Sequence, residues 1–119
     1  MEISVKERGN VNILELDGKL DLANAAVLKD KVKRLLAGKK THLHLDLTHV
    51  DFINSSGLGA LVSIMKEIRM FKGRLTLSNL APYVKEIFDI TQLSHVFEMF
   101  NNVEDALANS ENVTTPTAG

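Results

Sequence analysis

The chain has 119 residues, of which 45% are hydrophobic and 24% charged, and its formal net charge is -1. This length suits one domain with a single core, and the near-zero charge provides no overall attraction to nucleic acid or to an anionic membrane. Cysteine is absent, which excludes disulfides and thiolate chemistry and suits a reducing compartment. The sequence shows neither a signal-peptide pattern nor an apolar run of roughly 20 residues, so we expect a cytoplasmic protein.

The first third of the chain predicts a β-hairpin followed by a helix. Residues 3–6 and 11–16 read as two strands joined by a Gly-Asn turn. Asp21 is a candidate N-cap for the helix, and Gly38 is typical of a residue that ends one. The side chains predicted to face the core from this helix are Leu22, Ala25, Ala26, Leu28, Val32, Leu35 and Leu36.

A short strand over residues 42–47 comes next, with leucines at alternate positions on one face. His42 and His44 share the opposite face, and together with His49 they raise the alternative of a metal site. Strand alternation alone explains this spacing, and no arrangement of ligands typical of zinc accompanies it. We therefore expect no metal site.

The second half of the chain predicts a long amphipathic helix, a strand and a shorter helix. The long helix runs to about Phe71, because apolar residues recur there at helical spacing. The apolar stripe consists of Leu58, Leu61, Val62, Met65 and Ile68. Residues 74–78 read as a strand, and Pro82 is typical of the first turn of a helix.

Residues 93–97 read as a further strand with Val96 and Phe97 in the core. A last short helix follows, in which the inward residues are Val103, Ala106 and Leu107. We expect one domain over residues 1–109 and a disordered tail over 110–119, since the tail offers almost nothing to bury. The element order β-β-α-β-α-β-α-β-α predicts an α/β fold with a mixed sheet.

The stretch from Asp51 to Gly59 connects a predicted strand to the long helix and places Asn54, Ser55 and Ser56 at the helix entrance. Short side-chain oxygens at such positions accept hydrogen bonds from the unpaired N–H groups of the first turn. One interpretation is therefore that these residues only cap the helix. The other is that an exposed hydroxyl here carries a phosphoryl group, since helix N–H groups favour anions.

Motifs of common enzyme classes are absent. The chain contains neither G-x-x-x-x-G-K-[ST] nor G-x-G-x-x-G, and no glycine lies two positions before either serine, as a nucleophile elbow requires. Nothing in the sequence brings His95 and Asp89 to Ser56 as a base and its orienting acid. We expect a non-enzymatic protein without catalytic residues or a cofactor.

Residues 51–61 resemble the signature of STAS domains, in the subgroup of bacterial anti-sigma factor antagonists. Residues 18–21, Gly-Lys-Leu-Asp, resemble the segment before the first helix of that family. Residues 73–75 and 81–88 resemble the segment where a strand passes into a helix bearing proline. The resemblance covers about residues 1–109 and implies the STAS fold, with a sheet of four to five strands and helices packed mainly on one face.

The resemblance also implies a partner-switching cycle. The unphosphorylated protein binds an anti-sigma factor that is also a serine kinase, which releases a sigma factor. The kinase phosphorylates the second serine of the pair, Ser56, and a metal-dependent serine phosphatase reverses this step. The partner-binding residues implied are Asp21, Asn54, Ser55, Ser56, Gly57, Leu58 and Gly59. Nucleic acid and membranes are not expected as direct partners.

Asn54 departs from the family pattern, which often has Asp directly before the serine pair. Asn can cap a helix, but it adds no negative charge and cannot act as a base. If a carboxylate helps the kinase, Asp21 or Asp51 would have to supply it. The alternative function is a STAS-type sensor that binds a small ligand or a nucleotide at the same helix N-terminus.

Overall fold

The computed structural model describes residues 1–114 of the protein, with side chains described through residue 109. Its strands are β1 (Glu2–Arg8), β2 (Val11–Asp17), β3 (His42–His49), β4 (Arg74–Ser78) and β5 (Glu98–Phe100). Its helices are α1 (Leu22–Ala37), α2 (Ser55–Met70), α3 (Pro82–Ile90) and α4 (Val103–Thr114), with a 3-10 turn at Leu93–His95. The predicted element order is confirmed.

The five strands form one mixed sheet in the order β1-β2-β3-β4-β5. The hairpin strands β1 and β2 pair antiparallel, while the other three pairs of neighbours are parallel. This arrangement is expected of a hairpin followed by strands that are separated by helices. As a consequence, the carboxyl ends of β2 and β3 lie at the same edge of the sheet, where α1 and α2 begin.

One face of the sheet carries the main core. Leu14, Leu45 and Leu77 lie opposite one another on the three central strands and are completely buried. Helix residues packed into the same cluster are Leu28, Val32 and Leu36 of α1, Leu61, Ile64 and Ile68 of α2, and Val84 and Phe88 of α3. Because burying one such side chain stabilises the fold by about 1.5–3 kcal/mol, this face holds α1 and α2 in fixed positions.

The opposite face of the sheet is covered by α4. Val11 and Ile13 alternate with the residues of the main core along β2, and they pack against Leu107 and Val103 of α4. Within residues 1–114, three helices therefore lie on one face of the sheet and one on the other, which confirms the prediction that the helices pack mainly on one face.

The predicted strand over residues 93–97 is wrong. A 3-10 turn covers Leu93–His95, and the strand lies at Glu98–Phe100 instead. The chain turns at Gln92, which has a positive φ of 63°, and such a turn cannot be read from glutamine alone. Of the two predicted core residues only Phe97 is buried, in edge-to-face contact with Phe88 at 5.5 Å between ring centroids.

Two predicted inner residues of α1 lie on the surface. Leu22 is 72% exposed and Ala26 is also exposed, whereas Ala25 is buried. Leu22 is the first residue of the helix, at the edge of the sheet where α1 begins, and the first buried residue of α1 is Ala25. The apolar stripe of α1 is consequently narrower than the sequence indicates.

The predicted division into a domain over residues 1–109 and a disordered tail over 110–119 stays a prediction. The backbone of α4 continues to Thr114, so the helix extends into the first part of that range. Residues 115–119 lie outside the described residues.

Candidate partner-docking site

The segments that follow β2 and β3 run side by side at the edge of the sheet. Leu20 and Ile53 form an isolated parallel bridge. The Leu20 N–H donates to the carbonyl of Phe52 at 2.9 Å, and the Asn54 N–H donates to the carbonyl of Leu20 at 3.3 Å. Asp21 and Asn54, the next residue in each segment, therefore lie at the start of two neighbouring helices.

Both residues are N-caps. The Asn54 side-chain oxygen accepts a hydrogen bond from the Gly57 N–H at 2.9 Å, and an Asp21 carboxylate oxygen accepts one from the Asn24 N–H at 3.0 Å. The Asn24 side chain in turn donates to the Lys19 carbonyl at 2.8 Å, which fixes the loop before α1. The predictions that Asp21 and Asn54 cap helices are confirmed.

The two serines take no part in capping. Ser55 and Ser56 are both exposed in the first turn of α2, and neither hydroxyl makes a hydrogen bond within the part of the chain that the structure describes. Since Asn54 alone supplies the cap, the hydroxyl of Ser56 is available at the positive end of the helix dipole. The capping interpretation is therefore right for Asn54 and wrong for the serine pair.

Gly57 and Gly59 have different surroundings although both lie in the first turns of α2. A Cβ at Gly57 would meet the Leu20 carbonyl oxygen at 2.1 Å, whereas a Cβ at Gly59 would meet nothing within 4 Å. Gly57 is buried and allows α2 to approach the neighbouring segment, while Gly59 is exposed. The fold thus requires glycine at position 57 but not at position 59.

The other two predicted contact residues are Asp21 and Leu58. Both are half-buried, and the Leu58 side chain packs against the main core. The structure therefore brings all seven predicted contact residues to one edge of the sheet, with Gly57 beneath the surface. Their role in partner binding stays a prediction.

A buried polar cluster on the opposite face of the sheet is not evident in the sequence. His44 is completely buried, and its two ring nitrogens lie 2.7 Å from the hydroxyls of Thr76 and Ser78. Burial lowers the pKa of His44 from 6.5 to about 4, although Asp46 opposes the shift. The ring is therefore neutral near pH 7. Since both of its nitrogens already have hydroxyl partners, His44 does not offer one to a metal shared with His42 and His49.

Asp46 lies beside this cluster. One carboxylate oxygen accepts hydrogen bonds from the Thr48 hydroxyl at 2.6 Å and from the Asn79 side chain at 3.0 Å. Although partial burial opposes ionisation, the hydrogen bonds from Thr48 and Asn79 lower the pKa of Asp46. Among the described residues, no group of three His, Cys, Asp or Glu side chains is arranged to hold a metal ion.

The fold and the exposed serine pair at the start of α2 define an α/β module with a candidate docking surface at the edge of its sheet. The STAS domain family model matches residues 2–106. The chain belongs to the STAS domain family. Within residues 1–114, no helix is both long and apolar enough to cross a membrane.

Several relatives of the chain are named anti-sigma factor antagonists. The anti-sigma-B factor antagonist of Bacillus subtilis is 32% identical over 101 residues, covering 83% of this chain and 92% of that protein. The crystal structure of TM1081 from Thermotoga maritima has a TM-score of 0.85 at 25% identity, with coverage of 90% of this chain and 92% of that one. The predicted family is confirmed.

The Bacillus anti-sigma factor antagonist SpoIIAA has the same fold in two forms. The match to its unphosphorylated structure has a TM-score of 0.71 at 19% identity and covers 93% of this chain and 98% of the SpoIIAA chain. The match to its phosphorylated structure has a TM-score of 0.70 at 20% identity and covers 92% of this chain and 98% of the SpoIIAA chain. The fold is therefore common to both forms of that protein.

Proposed function

We propose that this protein is an anti-sigma factor antagonist that works by partner switching. In its unphosphorylated form it binds an anti-sigma factor that is also a serine kinase, and this binding releases a sigma factor. Phosphorylation of Ser56 blocks binding, and a metal-dependent serine phosphatase restores the active form. The observation that carries the proposal is the exposed hydroxyl of Ser56, without a hydrogen bond among the described residues, at the N-terminus of α2.

The surroundings of Ser56 suit a phosphate. The first turn of α2 contains no acidic residue, and its backbone N–H groups favour negative charge. A phosphate adds about -1.5 to -2 charge and three acceptor oxygens at this point. Because Asn54 and not Ser56 accepts the Gly57 hydrogen bond, the modification leaves the cap in place and the fold unchanged.

Phosphorylation then blocks docking by local charge and bulk. A partner surface that fits a small neutral hydroxyl would meet a larger dianion, and desolvating that charge at an interface is costly. Asp21 caps the neighbouring helix and places a carboxylate at the same edge of the sheet. We expect its carboxylate to contact the partner beside Ser56, whereas Asn54 provides only an amide. The protein itself catalyses no reaction in this cycle.

The first prediction concerns the acceptor residue. Incubation with the cognate kinase and ATP should add one phosphoryl group at Ser56, and peptide mass mapping should locate it there and not at Ser55. Ser56→Ala should remain folded, because the hydroxyl makes no hydrogen bond within the described residues and alanine favours helices. This variant should still bind the kinase and should no longer be modified.

Two results would contradict the proposed function. One is modification at Ser55 or at a threonine. The other is modification of Ser56 by ATP alone, or stoichiometric binding of ATP without a partner, which would support the small-ligand or nucleotide-binding sensor. A metal-dependent phosphatase should remove the group and restore kinase binding in the same assay.

The second prediction separates charge from bulk. Ser56→Asp should lower affinity for the anti-sigma partner, and Ser56→Asn, which is similar in size but neutral, should lower it less. The loss in Ser56→Asp should be partial, since Asp carries less charge than phosphoserine. The extra loss in the Asp variant should shrink as salt rises if the site stays hydrated, since exposed charges are screened over about 10 Å at 0.1 M.

Calorimetric titration at two salt concentrations measures these affinities, and amide spectra of both variants provide the control for folding. Shifts should stay near residues 19–24 and 51–62. Equal losses in the two variants would show that bulk alone acts, and shifts over the whole domain would show a global conformational change instead.

A further inference from the structure

A groove between α1 and α2 begins near the serine pair. It has a volume of about 520 Å³ and is lined by Lys29 and Lys33 of α1 and, on the α2 side, by seven residues between Gly59 and Phe71. Its apolar part contains two exposed side chains at the end of α2, Met70 at 81% exposure and Phe71 at 49%. Large apolar side chains exposed together mark an interaction surface more often than isolated ones do.

An exposed stripe on α2 connects Ser56 to this groove. The stripe consists of Ser56, Gly59, Ser63, Lys66 and Met70, all of them exposed. These positions are spaced by three and four residues, so they lie on one side of the helix and extend along it for about 21 Å. The four residues beyond Ser56 also line the groove.

Gly59 supports docking along this stripe. Glycine within a helix costs about 0.5–1 kcal/mol relative to alanine, and no neighbouring atom in the described structure prevents a Cβ at this position. The absence of a side chain therefore has no packing cause within the fold. It leaves room for the backbone of a partner to lie close to α2.

The groove has a basic border. Lys29, Lys33 and Lys66 line it together with one acidic residue, Glu67. Elsewhere Lys6, Arg8, Arg34, Lys40 and Arg74 form ion pairs. Within the described residues none of the three groove lysines forms one. A groove with a positive border and an apolar part is complementary to a segment with the opposite charge.

We propose that this groove binds an acidic amphipathic helix of the partner that docks at Ser56. The apolar face of that helix contacts Met70 and Phe71, and its acidic residues pair with Lys33 and Lys66, which is the helix-in-groove mode of recognition. This inference rests on the proposed function and extends its contact surface from the start of α2 to the end. A second copy of the chain is a poorer occupant, because a symmetric contact would place like-charged lysines together.

The test uses two synthetic helical peptides of about 15 residues, the length needed to follow the stripe. One has Leu on one face and Glu on its flanks, and in the other every Glu is replaced by Lys. We expect only the acidic peptide to bind the full chain and to shift the amide signals of residues 29–33 and 59–71. The double variant Lys33→Glu/Lys66→Glu should lower this affinity at least tenfold.

The control is Lys39→Glu/Lys85→Glu, which changes the net charge equally at exposed lysines outside the groove. Its affinity for the acidic peptide should lie within twofold of the affinity of the chain without substitutions. Equal losses in the two double variants would overturn the proposal, as would binding of both peptides or of neither. Concentration-dependent dimerisation that shifts the same amide signals would assign the groove to a second copy and overturn it too.

The cognate kinase separates this inference from the proposed function. Its affinity for Lys33→Glu/Lys66→Glu should fall at least tenfold, while the control double variant stays within twofold. If the kinase phosphorylates Ser56 and binds both double variants equally, the groove inference is wrong while the proposed function stands. If the kinase neither binds nor phosphorylates the chain of natural sequence, the proposed function is wrong, whatever the peptides show.

Discussion

Replacement of Gly57 by alanine should lower the free energy of unfolding by about 3 kcal/mol, because the new Cβ would meet backbone that cannot move aside cheaply. The Leu20 carbonyl oxygen would lie 2.1 Å from it and the carbonyl carbon 2.8 Å. That carbonyl accepts the Asn54 N–H, so displacing it also disturbs the start of α2. Urea denaturation of the variant measures the loss.

Gly59→Ala is the matched control, two residues along the same helix. Its Cβ meets nothing within 4 Å, so we expect an increase in stability of about 0.5–1 kcal/mol from the greater helix preference of alanine. Affinity for the anti-sigma partner should fall, since the methyl group projects into the docking stripe.

If Gly57→Ala were as stable as Gly59→Ala, the close contact between α2 and the Leu20 carbonyl would not exist in solution.

The contrast between these glycines shows where local sequence is informative. The caps at Asp21 and Asn54 could be predicted because capping depends on side chains within three residues of the helix start. The cause of glycine at position 57 could not be predicted. It depends on the carbonyl of Leu20, which is distant in the sequence and comes close only because β2 and β3 pair in parallel.

Errors in the predicted elements have a similar origin. The chain turns at Gln92 with a positive φ, and glutamine gives no indication of such a turn. The strand that follows is therefore displaced by several residues from its predicted position. Correct prediction of Phe97 as a core residue depended only on its size and apolar character, which do not require the right element.

Burial of His44 could not be predicted either. The alternation of histidine and leucine in β3 shows correctly that His44 lies on the face opposite Leu43 and Leu45, but alternation does not reveal what covers that face. In the structure, Thr76 and Ser78 of β4 provide hydrogen-bond partners for the ring. Both residues are themselves buried. The surroundings of the ring depend on packing between segments far apart in the chain.

His44 should make the stability of the fold depend on pH between about 6.5 and 4. Its pKa falls from 6.5 to about 4 on folding, so within this window the unfolded chain binds more protons than the folded one, and stability decreases as pH falls. The full shift corresponds to about 3 kcal/mol. Above pH 6.5 the His44 side chain is neutral in both the folded and the unfolded chain, so this loss of stability should be absent. Urea denaturation at a series of pH values would measure the dependence.

His44→Gln tests whether this residue is the cause. The amide can still form hydrogen bonds with the two hydroxyls but does not titrate, so the pH dependence between 6.5 and 4 should decrease by most of the 3 kcal/mol expected from the shift. His42→Gln is the matched control, because burial also lowers the pKa of His42 but its side chain is only half-buried. Asp46 affects the stability of the fold only at lower pH. Its pKa is depressed below 3.8, so the stability that its ionised carboxylate provides is lost only as the pH falls below that value. An unchanged slope in His44→Gln would mean that other groups cause the dependence and that His44 is not held neutral by burial.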